Sequence, residues 1–255
     1  MGQDVELNEL QEDFIHWTSE DRGISLENAR ERFLASLNLF PGGHRGPKFR
    51  RFCGLSYTVF SPFVSDRGEE LEDAYRFHGP LHFLRMLSYG YAPVAQAPKI
   101  LSELSKRETV AIIDYGCGLA QGSFWFAREL GKVGVAVQLN LVDFETDRKR
   151  FLLWKAKKEG FACNFFPAEV GRPVPALPPS DLCIATEFFE HVHEPWRYFE
   201  VIDHALSPGA HILTNIADHR DEFMHVSPDL QRLRDAVEAK GYEHIEENRV
   251  IRKRG

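Results

Sequence analysis

Residues 109–123, TVAIIDYGCGLAQGS, constrain the fold of this 255-residue chain more than any other stretch. Val110-Ala111-Ile112-Ile113 is a short continuous apolar run, the pattern of a strand buried on both faces of a parallel sheet. Asp114 follows, then Gly116, Gly118 and Gly122 punctuate a turn, and Phe124 to Leu130 has helical spacing. Strand, glycine turn and helix together bring a nucleotide cofactor against a helix N-terminus. Glycine suits such a turn because a Cβ would block close backbone approach to the ligand. The dinucleotide pattern G-x-G-x-x-G would require glycine at position 121, where this chain has Gln121.

Downstream of Thr109, strand and helix patterns alternate. Strands are expected at 135–142, 163–166, 181–186 and 210–215, with helices at 146–159, 195–206 and 228–240. Residues 242–254 can supply two final short strands around Glu247-Asn248. This alternation predicts an α/β, Rossmann-like, doubly wound and mainly parallel sheet. Residues 1–105 differ. Helical spacing at 5–18, 25–39, 69–90 (with a break near Gly79-Pro80) and 98–106 flanks a loop-rich, aromatic portion over 46–68 with Phe49, Phe52, Tyr57, Phe60 and Phe63. The expected division is an N-terminal helical cap over 1–105 and a cofactor-binding domain over 106–255.

Ligands of such sheets bind beyond the carboxyl ends of the strands. Asp143 closes the second strand, where an acid can accept hydrogen bonds from both ribose hydroxyls of a nucleoside. The fourth strand delivers Thr186-Glu187-Phe188-Phe189-Glu190-His191, and Leu206-Ser207-Pro208-Gly209 precedes the fifth.

Asp114-x-Gly116-x-Gly118, followed in order by Asp143, the fourth-strand segment and L-x-P-G, resembles the class I S-adenosylmethionine-dependent methyltransferases. Ala120 stands where that family often has a third glycine. The likeness covers about residues 109 to 245. It implies S-adenosylmethionine bound by Asp114, Gly116, Gly118, Asp143 and Glu187, with a methyl group passed to a nucleophile. It also implies that Glu169, after the third strand, meets the adenine amine; the other reading of Glu169 is an exposed loop acid.

Glu187-x-x-Glu190-His191 is similar to a pattern in methyltransferases that modify small-RNA 2′-hydroxyls or act in ubiquinone biosynthesis. There it accompanies a divalent metal with a further histidine from after the fifth strand. The implied ligands here are Glu187, Glu190, His191 and His225, with His219 as a substitute. This oxygen and nitrogen set suits Mg²⁺, Mn²⁺, Zn²⁺ or Fe²⁺. Without a metal, His191 or His225 becomes the candidate general base, since imidazole titrates near neutrality. Glu187 is the third candidate catalytic residue.

The net charge of −7 gives no reason to expect a nucleic-acid partner, except locally at His44 to Arg51. No apolar run approaches the roughly 20 residues needed to span a bilayer. The acidic N-terminus lacks a signal peptide's pattern. The four cysteines, Cys53, Cys117, Cys163 and Cys183, show no paired spacing. A reduced, cytoplasmic protein is expected. Within the cap, Tyr75, Phe77, His78, His82, Phe83, Tyr89 and Tyr91 are candidates to face the cofactor and shape an acceptor pocket. Oxygen methylation of a small molecule is the leading expectation. Its rivals are an RNA 2′-O-methyltransferase-like enzyme, a non-catalytic cofactor-binding subunit, and metal-dependent oxidation on the same scaffold.

Overall fold

The computed structural model describes residues 6–39, 43–49, 51, 83–169, 171–218 and 225–255. Two helices open the chain, α1 (Glu9–Arg22) and α2 (Leu26–Asn38). Local chemistry sets their limits. Asn8 and Gln11 form a reciprocal capping box at the start of α1, Gly23 ends it with φ of 61°, and the Ser25 hydroxyl caps α2.

After α3 (Ala97–Leu104) the expected alternation begins. Its elements are β1 (Thr109–Tyr115), α4 (Gln121–Gly131), β2 (Ala136–Asp143), α5 (Asp147–Glu159), β3 (Ala162–Pro167) and β4 (Ser180–Ala185). They continue with α6 (Pro195–Ala205), β5 (Leu206–Thr214), α7 (Gln231–Ala239), β6 (Glu243–Glu246) and β7 (Val250–Arg252). Element types agree with the sequence reading and the ends differ. β5 begins at Leu206 rather than Ala210, because Leu206 pairs with Ser180 ahead of a register shift in the ladder. The expected Pro208-Gly209 turn thus lies within the strand's range, where Gly209 has φ of 81°.

The strands form one sheet in the order β3-β2-β1-β4-β5-β7-β6. β1 through β5 are parallel, whereas β7 runs antiparallel to both β5 and β6. This is the α/β, mainly parallel, doubly wound architecture read from the sequence. β1 lies between β2 and β4, so the chain order reverses there and leaves a crevice at the carboxyl ends.

Apolar clusters fill both faces of the sheet. One packs Ile112, Leu139, Leu141, Leu182 and Leu213 with α3 and α4, and the other packs Ile113, Val142, Cys183 and Ile212 with α6 and α7. A third cluster joins the first two helices to α5: Ile15, Trp17, Phe33 and Phe83 surround the fully buried Phe151. Burying such a side chain stabilises by about 1.5–3 kcal/mol. An ion cluster reinforces this contact. Asp13 of α1 pairs with the buried Lys155 and, at 2.5 Å, with Lys158, both on α5.

Candidate active site

A cavity of about 570 Å³ opens at the carboxyl ends of β1, β2 and β4. Its floor is the glycine turn, with Gly116 at φ of 71° and Gly118 at φ of 54°. Ala120 takes the same left-handed conformation at φ of 50°, a strain that non-glycine residues adopt uncommonly. Side chains from elsewhere in the chain pack directly over two of the glycines. A Cβ on Gly116 would approach Phe188 Cδ2 to 2.6 Å, and one on Gly118 would approach Met86 Cε to 2.3 Å. The turn is therefore covered from two sides, by the loop after β4 and by the segment before α3.

The two acids at the strand ends have different environments. Asp114 is 5 % exposed and accepts a hydrogen bond from Ser123 Oγ at 2.6 Å. Burial pushes its pKa up to about 7; the Ser123 bond opposes this, and the nearby Asp143 charge adds to it. Asp143 accepts from the backbone N–H groups of Gly118 and Phe144, each at 2.7 Å, and from Arg148 at 3.3 Å. It thus ties the β1 turn to the end of β2. Glu169 is in the cavity wall, with its side chain 72 % exposed and 3.6 Å from Arg172.

Glu187, Glu190, His191 and His225 do not form one group. Glu190, His191 and His225 bring ligand atoms within 4.8 Å of one another. The His191 and His225 ring centroids are 4.9 Å apart. Backbone and side-chain bonds from Ser227 to the carbonyls of Glu190 and Val192, at 3.0 and 2.8 Å, hold the 225–227 segment there. Glu187 is outside this group. It adopts φ of 51°, and its carboxylate accepts from Asn215 Nδ2 at 3.0 Å, bridging the ends of β4 and β5. A helical turn from Glu187 would have made its carboxylate converge with Glu190. The left-handed backbone at Glu187 precedes the short 3-10 turn Phe189–His191 instead. A second acidic group, Glu9, Asp13 and Glu159, is neutralised by Arg128, Lys155 and Lys158.

The segment before α3 contributes directly. Met86, Tyr89, Gly90, Tyr91 and Ala92 line the cavity, and Gln121 Nε2 donates to the Met86 carbonyl at 3.3 Å. The Tyr91 ring is against Gly122, where a Cβ would come within 3.1 Å of it. Burial first, and then the Asp114 charge, push the Tyr91 hydroxyl up to about 12, so it remains a donor at neutral pH. Phe83 packs among Trp17, Phe33 and Phe151 rather than in the cavity wall. Tyr75, Phe77, His78, His82, Cys53 and His219 lie outside the described residues. The basic stretch at His44 is partly interior, since His44 and Phe49 are each about 1 % exposed.

Sequence reading missed Ser123, Arg148, Asn215 and Phe188 as parts of this site. Arg148 had a usable signal: it precedes the buried Phe151 and Leu152 by three and four residues, which places it on the inner face of α5. The other three meet their partners only through tertiary contact. Among the described residues no helix is long and apolar enough to cross a membrane.

No family model matches the chain, and no curated protein is similar to it. Among solved structures it is similar to a SAM-dependent methyltransferase from Aquifex aeolicus, at 17 % identity over 58 % of this chain and 79 % of that one, with a TM-score of 0.42. It is also similar to the [4+2]-cyclase SpnF, at 18 % identity over 72 % and 75 %, with a TM-score of 0.48. A third is precorrin-6y C5,15-methyltransferase from Geobacter metallireducens, at 16 % identity over 60 % and 78 %, with a TM-score of 0.41. The antiparallel β7 between β5 and β6 departs from the dinucleotide order 3-2-1-4-5-6. With that sheet order, the chain has a Rossmann-like, mainly parallel α/β fold.

Proposed function

We propose that this chain binds S-adenosylmethionine and transfers its methyl group to an oxygen of a small-molecule acceptor. The observation that carries the reading is the strand-end cavity itself: glycines at positive φ in its floor, Asp143 on the neighbouring strand, and Gln121 in place of the dinucleotide glycine. Bound there, the donor supplies a methyl group already activated on a sulfonium. The protein's task is then alignment and exclusion of water. Gly116 and Gly118 let the donor approach the backbone, Asp143 holds the ribose, and Glu169 receives the adenine amine. Glu187 adds negative charge beside the donor, which suits a sulfonium cation, and Asp114 braces the glycine turn through Ser123. Residues 1–105 act as a cap, with Met86, Tyr89 and Tyr91 closing the donor side. His191, which lines the cavity, accepts the acceptor's hydroxyl proton, and His225 stands behind it.

One carboxylate and two imidazoles also fit a divalent ion of the Zn²⁺, Fe²⁺ or Mn²⁺ type. Glu190, His191 and His225 would hold it, without Glu187, and it would lower the pKa of an acceptor hydroxyl.

Calorimetry with S-adenosylmethionine and S-adenosylhomocysteine tests the donor assignment. Binding should weaken by roughly 2–4 kcal/mol in Asp143→Ala, from about 1.5–3 for each charge-assisted bond. Absence of binding at millimolar ligand would sink it. Labelled donor incubated with metabolite extracts tests the acceptor class, and unchanged incorporation after chelation rejects the metal.

A further inference from the structure

Asp143 is almost fully engaged by its own chain. A carboxylate offers about four lone-pair directions for hydrogen bonds. Oδ1 accepts from the Phe144 N–H at 2.7 Å and from the Arg148 guanidinium at 3.3 Å. Oδ2 accepts from the Gly118 N–H at 2.7 Å, and the Cys117 thiol is 3.9 Å away. The two backbone bonds are built into the turn and the strand end. A thiol is a weak donor, so its place is the one that a hydroxyl takes at little cost. A second hydroxyl donating to Asp143 would have to displace Arg148.

Arg148 is not free to swing away. Its Nε donates to Thr146 Oγ1 at 3.2 Å, and Thr146 is the N-cap of α5. The Arg148 and Asp143 side chains are only 8 % and 11 % exposed, and both residues line the cavity. Among the described residues the remaining terminal nitrogen of Arg148 has no hydrogen-bond partner, and a guanidinium can only donate.

We propose that Asp143 and Arg148 divide the ribose between them: Asp143 accepts from one ring hydroxyl in place of the Cys117 thiol, and Arg148 donates to the oxygen of the other. Arg148 is thereby both a ribose-binding group and the residue that positions Asp143. This rests on the donor assignment above and adds a chemical division that the assignment does not require. It makes the two hydroxyls inequivalent, one read as a donor and one as an acceptor.

Calorimetry on the full chain with S-adenosylhomocysteine and its 2′-deoxy and 3′-deoxy analogues tests it. In the wild-type protein each deletion should weaken binding by about tenfold or more, as expected for loss of a charge-assisted bond. In Arg148→Met, one analogue should bind as well as the parent, while the other keeps its deficit. Arg148→Lys should restore part of the lost discrimination. A uniform loss across all three ligands in Arg148→Met would mean that the arginine only supports the fold, and would overturn the proposal. Indifference of the wild-type protein to either deletion would also overturn it, and needs no variant. If the wild-type protein binds none of the three, the donor assignment itself falls.

Discussion

Asp114→Asn isolates the one acid that the glycine turn buries without a cationic partner at hand. Folding takes its pKa from an ordinary 3.8 up to about 7, chiefly through burial. Between those two pH values the folded protein keeps a proton that the unfolded chain has lost. Stability therefore falls as pH rises from about 4 to about 7 and levels off above. At about 1.36 kcal/mol per pH unit, the whole window is worth up to roughly 4 kcal/mol. Asparagine is nearly isosteric, still offers an oxygen to the Ser123 hydroxyl, and cannot ionise. Urea denaturation at about pH 5.5 and about pH 8 should then show the wild-type protein losing roughly 2 kcal/mol more than the variant. Other titrating groups are common to both proteins and cancel in the comparison. Parallel pH profiles would refute the reasoning and mean that Asp114 is ionised at every pH tested.

Gly116→Ala should destabilise by about 1–2 kcal/mol for the left-handed backbone, since φ is 71°, and should lower affinity for S-adenosylhomocysteine because Phe188 must move. Thermal denaturation and calorimetry on that one variant read both effects, and unchanged affinity would show that Phe188 does not bound the donor site. Asp13→Ala should cost about 3 kcal/mol, the lower end for breaking a buried pair, because Glu159 still accompanies Lys155 at 2.5 Å. The loss should appear as faster proteolysis within α1 and α2 as well as a lower denaturation midpoint; a neutral result would show that the aromatic cluster alone holds α1 against α5.

The parallel sheet was legible because its strands are short and mainly apolar, and most of them are followed by a helical period. Helix starts were legible where a capping side chain announces them, as at Ser25 and Thr146. They were less legible at α4, which begins at Gln121, directly after the left-handed Ala120. Alanine carries no sequence signal for that conformation. The fourth-strand segment shows the same limit. Glu187, Glu190 and His191 are spaced as if to converge, but the left-handed backbone at Glu187 sends its carboxylate to Asn215.

Local sequence alone therefore determined the strand, the glycine turn and the acid at the end of β2. Periodicity and glycine placement act over a few residues and need no partner. The tertiary structure decided what each rim residue touches: Arg148 against Asp143, Phe188 and Met86 against the glycines, His225 against His191, and Asp13 against Lys155. Apart from Arg148 and Asp143, which are five residues apart, those contacts join residues distant in the chain. They depend on strand order, packing depth and backbone handedness, which no short stretch of sequence encodes.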